Sequence, residues 1–185
     1  IFKFNFMTKI LNNEEIKILC RLNQNLIPVI ENAFVSLSNG NAITPPIMRL
    51  DISEFHGEAD VKSAYIKGLD SFAIKVAVGY FNNPSIGLPS SNGLMILFDS
   101  KNGLIKAVLL DNGYLTDIRT AIAGAISSKY LSNKNIENVG IIGAGAQAEL
   151  QLKSLMFVRK PSTAFIWARN KEKVDKFIHK IKKEL

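Results

Sequence analysis

Cysteine is almost missing from this 185-residue chain, and Cys20 alone excludes an intramolecular disulfide framework and a zinc site built on thiolates. A cytoplasmic location is the resulting expectation, with Cys20 a small core hydrophobe rather than a nucleophile and no metal site anywhere. Long apolar runs are missing too: no stretch of about 18 apolar residues occurs, so no membrane-spanning helix is expected. Ile1-Phe2-Lys3-Phe4-Asn5-Phe6 has neither the small-residue cleavage site nor the sustained apolar core of a signal peptide. Met7-Thr8-Lys9-Ile10-Leu11 reads as a more natural start, which makes residues 1–6 an upstream extension or the edge of a fragment. Internal repeats and low-complexity segments are also absent. What remains is 47% apolar and 21% charged with 12 Gly and 6 Pro, a globular composition that excludes disorder and collagen. The length corresponds to one domain, or to one domain plus part of another.

The net charge is +7, and all of the excess lies late: residues 1–150 carry 13 basic and 13 acidic groups, residues 151–185 carry 10 and 3. In that last stretch Val174, Phe177, Ile178, Ile181 and Leu185 fall on one stripe of an amphipathic helix, leaving the lysines as its solvated face. Such a pattern argues against a nucleic-acid binder, which clusters cations with interleaved aromatics.

Along the chain, Asn12 or Asn13 caps a helix entered through Glu14-Glu15, with Ile16, Leu19 and Cys20 inward. A second helix has Pro28 near its first turn, Ile30, Ala33, Phe34 and Leu37 at helical spacing, and Gly40 as a left-handed stop. Pro45-Pro46 forces extended chain, and strands follow. Phe72–Val78 is the clearest, and Leu94–Phe98 and Leu104–Leu110 are joined through Asp99-Ser100-Lys101-Asn102-Gly103, a hairpin signal that predicts an antiparallel sheet. After Asp111-Asn112-Gly113, Thr116 or Asp117 caps a long helix reaching about Leu131, whose Ala121, Ala123, Gly124 and Ala125 allow close approach of another backbone. From about residue 136 the style changes to strand (Asn138–Ile142), glycine loop, helix, strand (Ala164–Ala168) and lysine-rich helix. That β-α-β-α order opens a parallel α/β domain, so the fold class is α/β with an α+β portion in front.

The glycine loop carries the strongest chemical signal because a buried strand precedes it and a helix follows. Gly143 permits the tight turn, Gly145 lets the backbone approach a pyrophosphate, and Ala148 replaces the third glycine, a packing position that accepts alanine. A tight turn without a ligand is the alternative. At the end of the second strand, Ala168-Arg169-Asn170 offers no carboxylate for a ribose 2′-hydroxyl, while Arg169, Lys171 and Lys173 favour a 2′-phosphate, so NADP is favoured over NAD. Arg169 as a solvated residue at a helix start is the competing reading.

A second constellation sets cations among apolar residues: Lys75 inside the best strand, Arg119 in the first turn of its helix, and Arg49 after the proline pair. A cation at a helix N-terminus opposes the macrodipole, and an anion held between Arg119 and the helix amides reverses that penalty. Arg49 supplies the fork for bidentate carboxylate binding. Arg49 and Lys75 pointing to solvent from alternating strand positions is the alternative.

With these residues in view, the sequence resembles the ornithine cyclodeaminase/mu-crystallin family. Pro45-Pro46-Ile47-Met48-Arg49, Phe72-Ala73-Ile74-Lys75, Gly113-Tyr114-Leu115-Thr116-Asp117-Ile118-Arg119-Thr120-Ala121 and Ile142-Gly143-Ala144-Gly145-Ala146-Gln147-Ala148 stand in the family's order and spacing, from about Met7 onward. His56–Lys62 and Gly68–Phe72 look most like its cyclodeaminase-like branch of ectoine utilisation. The resemblance implies that Arg49, Lys75 and Arg119 hold a substrate carboxylate, with Lys75 a candidate proton-transfer group. It implies that Thr120, Gly143, Gly145, Ala146, Gln147 and Ala148 contact the cofactor phosphates, and that Arg169 and Asn170 select at the ribose. The activity so implied is NAD(P)-dependent hydride transfer at the carbon bearing nitrogen of an amino acid or cyclic imino acid, as cyclodeamination or as ketimine reduction. A non-catalytic, crystallin-like NADP binder is the alternative. The implied organisation is a substrate and dimerisation domain at 1–113, a connecting helix at 114–135 and a partial dinucleotide-binding (Rossmann) domain at 136–185, in a homodimer. Two departures stand out. Where ornithine-specific members carry an acidic side chain before the Lys75 strand, this chain offers Lys62 near the matching place, with Glu58 and Asp60 further back, which argues against ornithine itself. The family's catalytic aspartate lies later than Leu185, so the chain is expected to be C-terminally truncated, inactive alone and poorly soluble.

Overall fold

The computed structural model describes residues 7–184. The reading of residues 1–6 and the place of Leu185 on the helical stripe lie outside the described residues. The fold separates into two compact units, one of residues up to Arg21 with Ala33–Tyr114, the other of Leu22–Asn32 with Leu115 onward.

The first unit is built on a sheet. Strand β1 (Lys9–Asn12) leads into helix α1 (Asn13–Leu19), where the Asn12 side chain accepts from the Glu14 and Glu15 amides and Glu15 reaches back to the Asn12 amide. Ile16 is buried, but Leu19, expected inward, is 71% exposed: two helical turns present only one residue to the sheet. Helix α2 (Leu26–Ser38) ends before Gly40 at φ 71°, as the spacing predicts. Strands β2 (Ala42–Ile43), β3 (Met48–Ile52), β4 (Gly57–Ile66), β5 (Ser71–Tyr80), β6 (Ser91–Asp99) and β7 (Ile105–Leu110) follow. The order is β1-β7-β6-β5-β4-β2, with β3 also on β4. Pairing is antiparallel from β2 to β7, as expected; β1, which has no strand signal of its own, adds to β7 in parallel. The β6–β7 hairpin turns where Asp99 accepts from the Lys101 and Asn102 amides and Gly103 takes φ 74°. Register places Met48, Val61, Val76 and Leu94 on one face and Arg49, Asp60, Ala77 and Gly93 on the other.

In the second unit the long helix α3 (Tyr114–Leu131) begins earlier than a Thr116 or Asp117 cap predicts. Asn112 (φ 51°) and Gly113 (φ 86°) are consecutive left-handed residues that turn the chain straight into the helix, with the Tyr114 amide donating to the Asp111 carbonyl. Ile27, Ile122 and Ile126 form its core with Leu22, Leu26, Ile30, Phe157 and Val158 against them. Full burial of each such side chain is worth about 1.5–3 kcal/mol. Close approach at Gly124 holds: a Cβ there would collide with the side-chain amide of Gln151, whose Nε2 donates to the Thr120 carbonyl at 3.1 Å. Buried Arg159 donates to the carbonyls of Lys129, Ser132 and Asn133, satisfying the C-terminal end of α3. Then come β8 (Asn138–Ile142), α4 (Ala146–Leu155), β9 (Thr163–Trp167) and α5 (Lys171–Glu184), with β8 and β9 parallel. This is the expected β-α-β-α order. Phe177 is buried on α5, while Ile142, Phe165 and Trp167 lie largely exposed on the two-stranded sheet.

Candidate functional site

The loop from β8 into α4 is shaped by two glycines with different duties. Gly143 sits at φ 120°, a conformation closed to most side chains, and its amide donates to the Trp167 carbonyl at 2.7 Å, tying the turn to the end of β9. Gly145 is the N-cap of α4 in ordinary extended geometry, and no side chain caps that helix. A Cβ at either glycine would meet nothing within 4 Å, so the backbone is bare to an approaching group, and the first amides of α4, which no side chain caps, suit an anion. A cavity of about 390 Å³ lies against it, lined by Gly143, Ala144, Gly145, Trp167, Arg169, Asn170 and Lys173 among others. An adjoining one of about 270 Å³ shares Ala144, Gly145 and Lys173 and extends to Lys176 and Lys180. The loop therefore fits a nucleotide diphosphate, with Arg169 at the strand end.

Other side chains singled out from the sequence have structural partners. Asn170 caps α5, its Oδ1 accepting from the Lys173 amide at 3.0 Å. Thr120 donates its hydroxyl proton to the Thr116 carbonyl at 2.7 Å. Gln147 donates to Asp117 Oδ1 at 2.8 Å, fastening α4 to α3. Asp117 and Gln151 were not anticipated in this role; the trace in the sequence is the i, i+4 spacing of Gln147 and Gln151 opposite small residues. Ala146 and Ala148 lie in the first turn of α4. Arg119 is exposed and sits in the second turn of α3, not its first, so the argument from the helix end does not apply to it: the dipole effect fades within one turn.

In the first unit the structure brings Arg49 and Lys75 together around an acidic group. Arg49 Nε donates to Asp51 at 2.9 Å, its Nη2 to Glu58, and Nη1 lies 3.8 Å from Asp60. Lys62 donates to the other Asp60 oxygen at 2.8 Å and faces Lys75 across β4 and β5. The Lys62 hydrogen bond holds the Asp60 carboxyl below the usual range; burial opposes this, and the charges of Lys62, Arg49 and Lys75 add to it. The guanidinium fork expected for an incoming carboxylate is thus already engaged by Asp51, two residues along its own strand, and by Glu58 and Asp60, partners that only strand register reveals.

A parallel strand pair, a bare glycine turn at the helix start and a cation at the strand end make the second unit the opening of a Rossmann-type dinucleotide-binding fold. The chain belongs to the ornithine cyclodeaminase/mu-crystallin family, whose profile matches residues 7–185. A putative dehydrogenase of Rhizobium meliloti is 50% identical over 167 residues, 90% of this chain and 51% of that protein. Among solved structures, Thermococcus litoralis Delta(1)-pyrroline-2-carboxylate reductase in complex with NADH and L-proline is similar with TM-score 0.89 at 30% identity, covering 96% of this chain and 54% of that one. An archaeal alanine dehydrogenase dimer with bound NAD gives TM-score 0.87 at 30% identity, covering 96% and 53%. The chain spans about half the length of the curated relatives it matches. Among the described residues, no helix is long and apolar enough to cross a membrane.

Proposed function

We propose that this chain forms the substrate-side half and the first cofactor-binding half of an NAD(P)-dependent, ornithine cyclodeaminase-like enzyme acting on an amino acid or cyclic imino acid. The observation that carries the reading is the bare turn at Gly143 and Gly145 beside a cavity with Arg169. When bound, the nicotinamide cofactor accepts or donates hydride at the substrate carbon bearing nitrogen. The chain's own part is to hold and orient. The backbone from Gly143 to Ala148, with Thr120, takes the phosphates, and Arg169 with Asn170 takes the ribose end. Arg49, Lys75 and Arg119 bind the substrate carboxylate, and Lys75 holds the proton exchanged there. Correct positioning of reactants lowers barriers by up to roughly 7–11 kcal/mol. The similar structures hold NADH and NAD; a preference for NADP in this chain rests on Ala168-Arg169-Asn170, where no carboxylate stands.

Residues 1–113 as the substrate and homodimerisation domain, 114–135 as connecting helix, 136–185 as partial cofactor domain, a cytoplasmic location and a place in ectoine utilisation belong to the same proposal, as does inactivity of the 185-residue chain alone. The second reading, a binder without turnover, is favoured by the Arg49 fork being occupied by protein carboxylates. Titration with NADPH and with NADH tests the shared core: saturable quenching of cofactor fluorescence is expected, stronger binding of NADPH supports the NADP preference, and the absence of saturable binding of both refutes both readings. Consumption of NADPH with a panel of cyclic imino acids, by a protein of the relatives' full length, separates enzyme from binder.

A further inference from the structure

We propose that Glu58 is a resident competitor for the substrate carboxylate: it holds the one nitrogen of Arg49 that every two-point grip requires, and so sets how tightly the site takes its acid. The inference rests on the reading of Arg49 as a substrate-carboxylate contact. A guanidinium offers a carboxylate two faces with parallel donors, Nε with Nη2 and Nη1 with Nη2. Nη2 belongs to both. Glu58 accepts from Nη2, so one side chain closes both faces. Asp51 accepts from Nε at 2.9 Å and closes only the first. Asp60 lies 3.8 Å from Nη1, beyond hydrogen-bond reach, and closes neither. Loss of Glu58 therefore frees the Nη1/Nη2 face while Asp51 stays bound, whereas loss of Asp51 frees no complete face. Register accounts for the contact: Arg49 stands opposite Asp60 and Asp51 opposite Glu58, which makes Arg49 and Glu58 diagonal neighbours on one face, a spacing that long side chains bridge. On the other side the strand partner of Glu58 is Gly79, and Glu58 Cγ lies 3.4 Å from where a Cβ of Gly79 would stand. Glu58 thus lies over a position that carries no side chain, which leaves it room to swing off Arg49. Its side chain is 27% exposed against 62% for Asp51, so its charge is the less screened of the two. A ligand that binds only the fraction of molecules with the fork open has its apparent affinity lowered by that fraction.

Dissociation constants for L-proline, and for L-prolinamide as the probe without a carboxylate, are measured by NMR titration of the parent chain, E58Q, E58A and D51N. NADPH is present, salt is about 0.15 M to screen exposed charges, and circular dichroism confirms folded samples. E58Q and E58A are expected to tighten L-proline by roughly five- to tenfold, the scale of a competing hydrogen bond between charged groups discounted for partial exposure, and to leave L-prolinamide within about twofold. D51N, which removes the same charge but leaves Nη2 covered, stays within about twofold of the parent for both probes. Equal tightening of L-proline by D51N and E58Q points to the general field of the acidic groups and overturns the assignment. Unchanged or weaker L-proline binding in both Glu58 variants overturns it too, and saturation of the parent chain then leaves the carboxylate reading of Arg49 standing. L-proline that saturates none of the four proteins removes that reading and this inference together.

Discussion

Two substitutions two residues apart separate the shape of the glycine turn from its use. At Gly143 the obstacle to a side chain is backbone conformation: φ is 120° with open space where a Cβ would go. Gly143→Ala therefore costs about 1–3 kcal/mol of stability from the strained dihedral, a fall in Tm of roughly 2–12 °C for a chain of this size. At Gly145, with φ −100° and ψ −172°, alanine is conformationally ordinary. Alanine is a poorer N-cap than glycine by about 1 kcal/mol, and a less flexible unfolded chain returns about 0.4–1 kcal/mol, so Gly145→Ala changes stability by less than about 1 kcal/mol. Its methyl group instead occupies the room that a pyrophosphate needs against the backbone. Losing one charge-assisted hydrogen bond there costs about 1.5–3 kcal/mol, or roughly 10–150-fold in NADPH affinity. Differential scanning fluorimetry and NADPH titration of both variants give the comparison. Unchanged NADPH affinity in Gly145→Ala, or unchanged Tm in Gly143→Ala, would refute the corresponding half of the reasoning.

Three further outcomes are expected. Arg159→Ala leaves the end carbonyls of α3 without their donor and lowers stability by about 3 kcal/mol, roughly 6–12 °C in Tm, with Arg159→Lys intermediate; a loss below about 1 kcal/mol counts against the capping role. Stability falls as pH drops below about 4, because carboxyls whose folded pKa lies under the unfolded value contribute only while ionised. Asp60 is lowered first by Lys62. Glu31 is lowered first by Tyr130 and then by Lys129. Glu149 is raised by burial yet brought net below its ordinary value by Lys153 and Lys180. Chemical denaturation between pH 6 and 3 checks the sign, and a midpoint that rises toward acid contradicts it. Arg119→Ala, in a protein of the relatives' length, weakens imino-acid binding by more than about tenfold while NADPH binding stays near the parent, as expected for a carboxylate contact. Equal losses of both affinities remove Arg119 from the substrate site.

How far the sequence could be read depended on whether the signal was local. The order of β8, α4, β9 and α5, the glycine turn and the hairpin at Asn102-Gly103 all express themselves within about ten residues, through periodicity and through glycines that few other residues can replace. β1 is four residues long and owes its existence to β7, which lies almost a hundred positions away. The early start of α3 depends on Asn112 joining Gly113 in the left-handed region, a choice that propensity alone does not dictate. The occupied fork of Arg49 follows from β3 being set against β4 so that Arg49 faces Asp60, and register is a tertiary property. Arg159, read only as part of a basic tail, closes a helix end some 30 positions earlier.

One helix joins the two units along the chain: α2 begins in the unit that contains α3 and ends in the one that contains the sheet. Order of synthesis and order of folding therefore differ. Leu26 and Ile27 leave the ribosome early, but Ile122 and Ile126, which bury them, are made roughly 90 residues later, a wait of about 5–20 s at ordinary translation speeds. Until then the nascent chain carries an apolar helix end with nothing to cover it. No single cut in the polypeptide yields either unit whole.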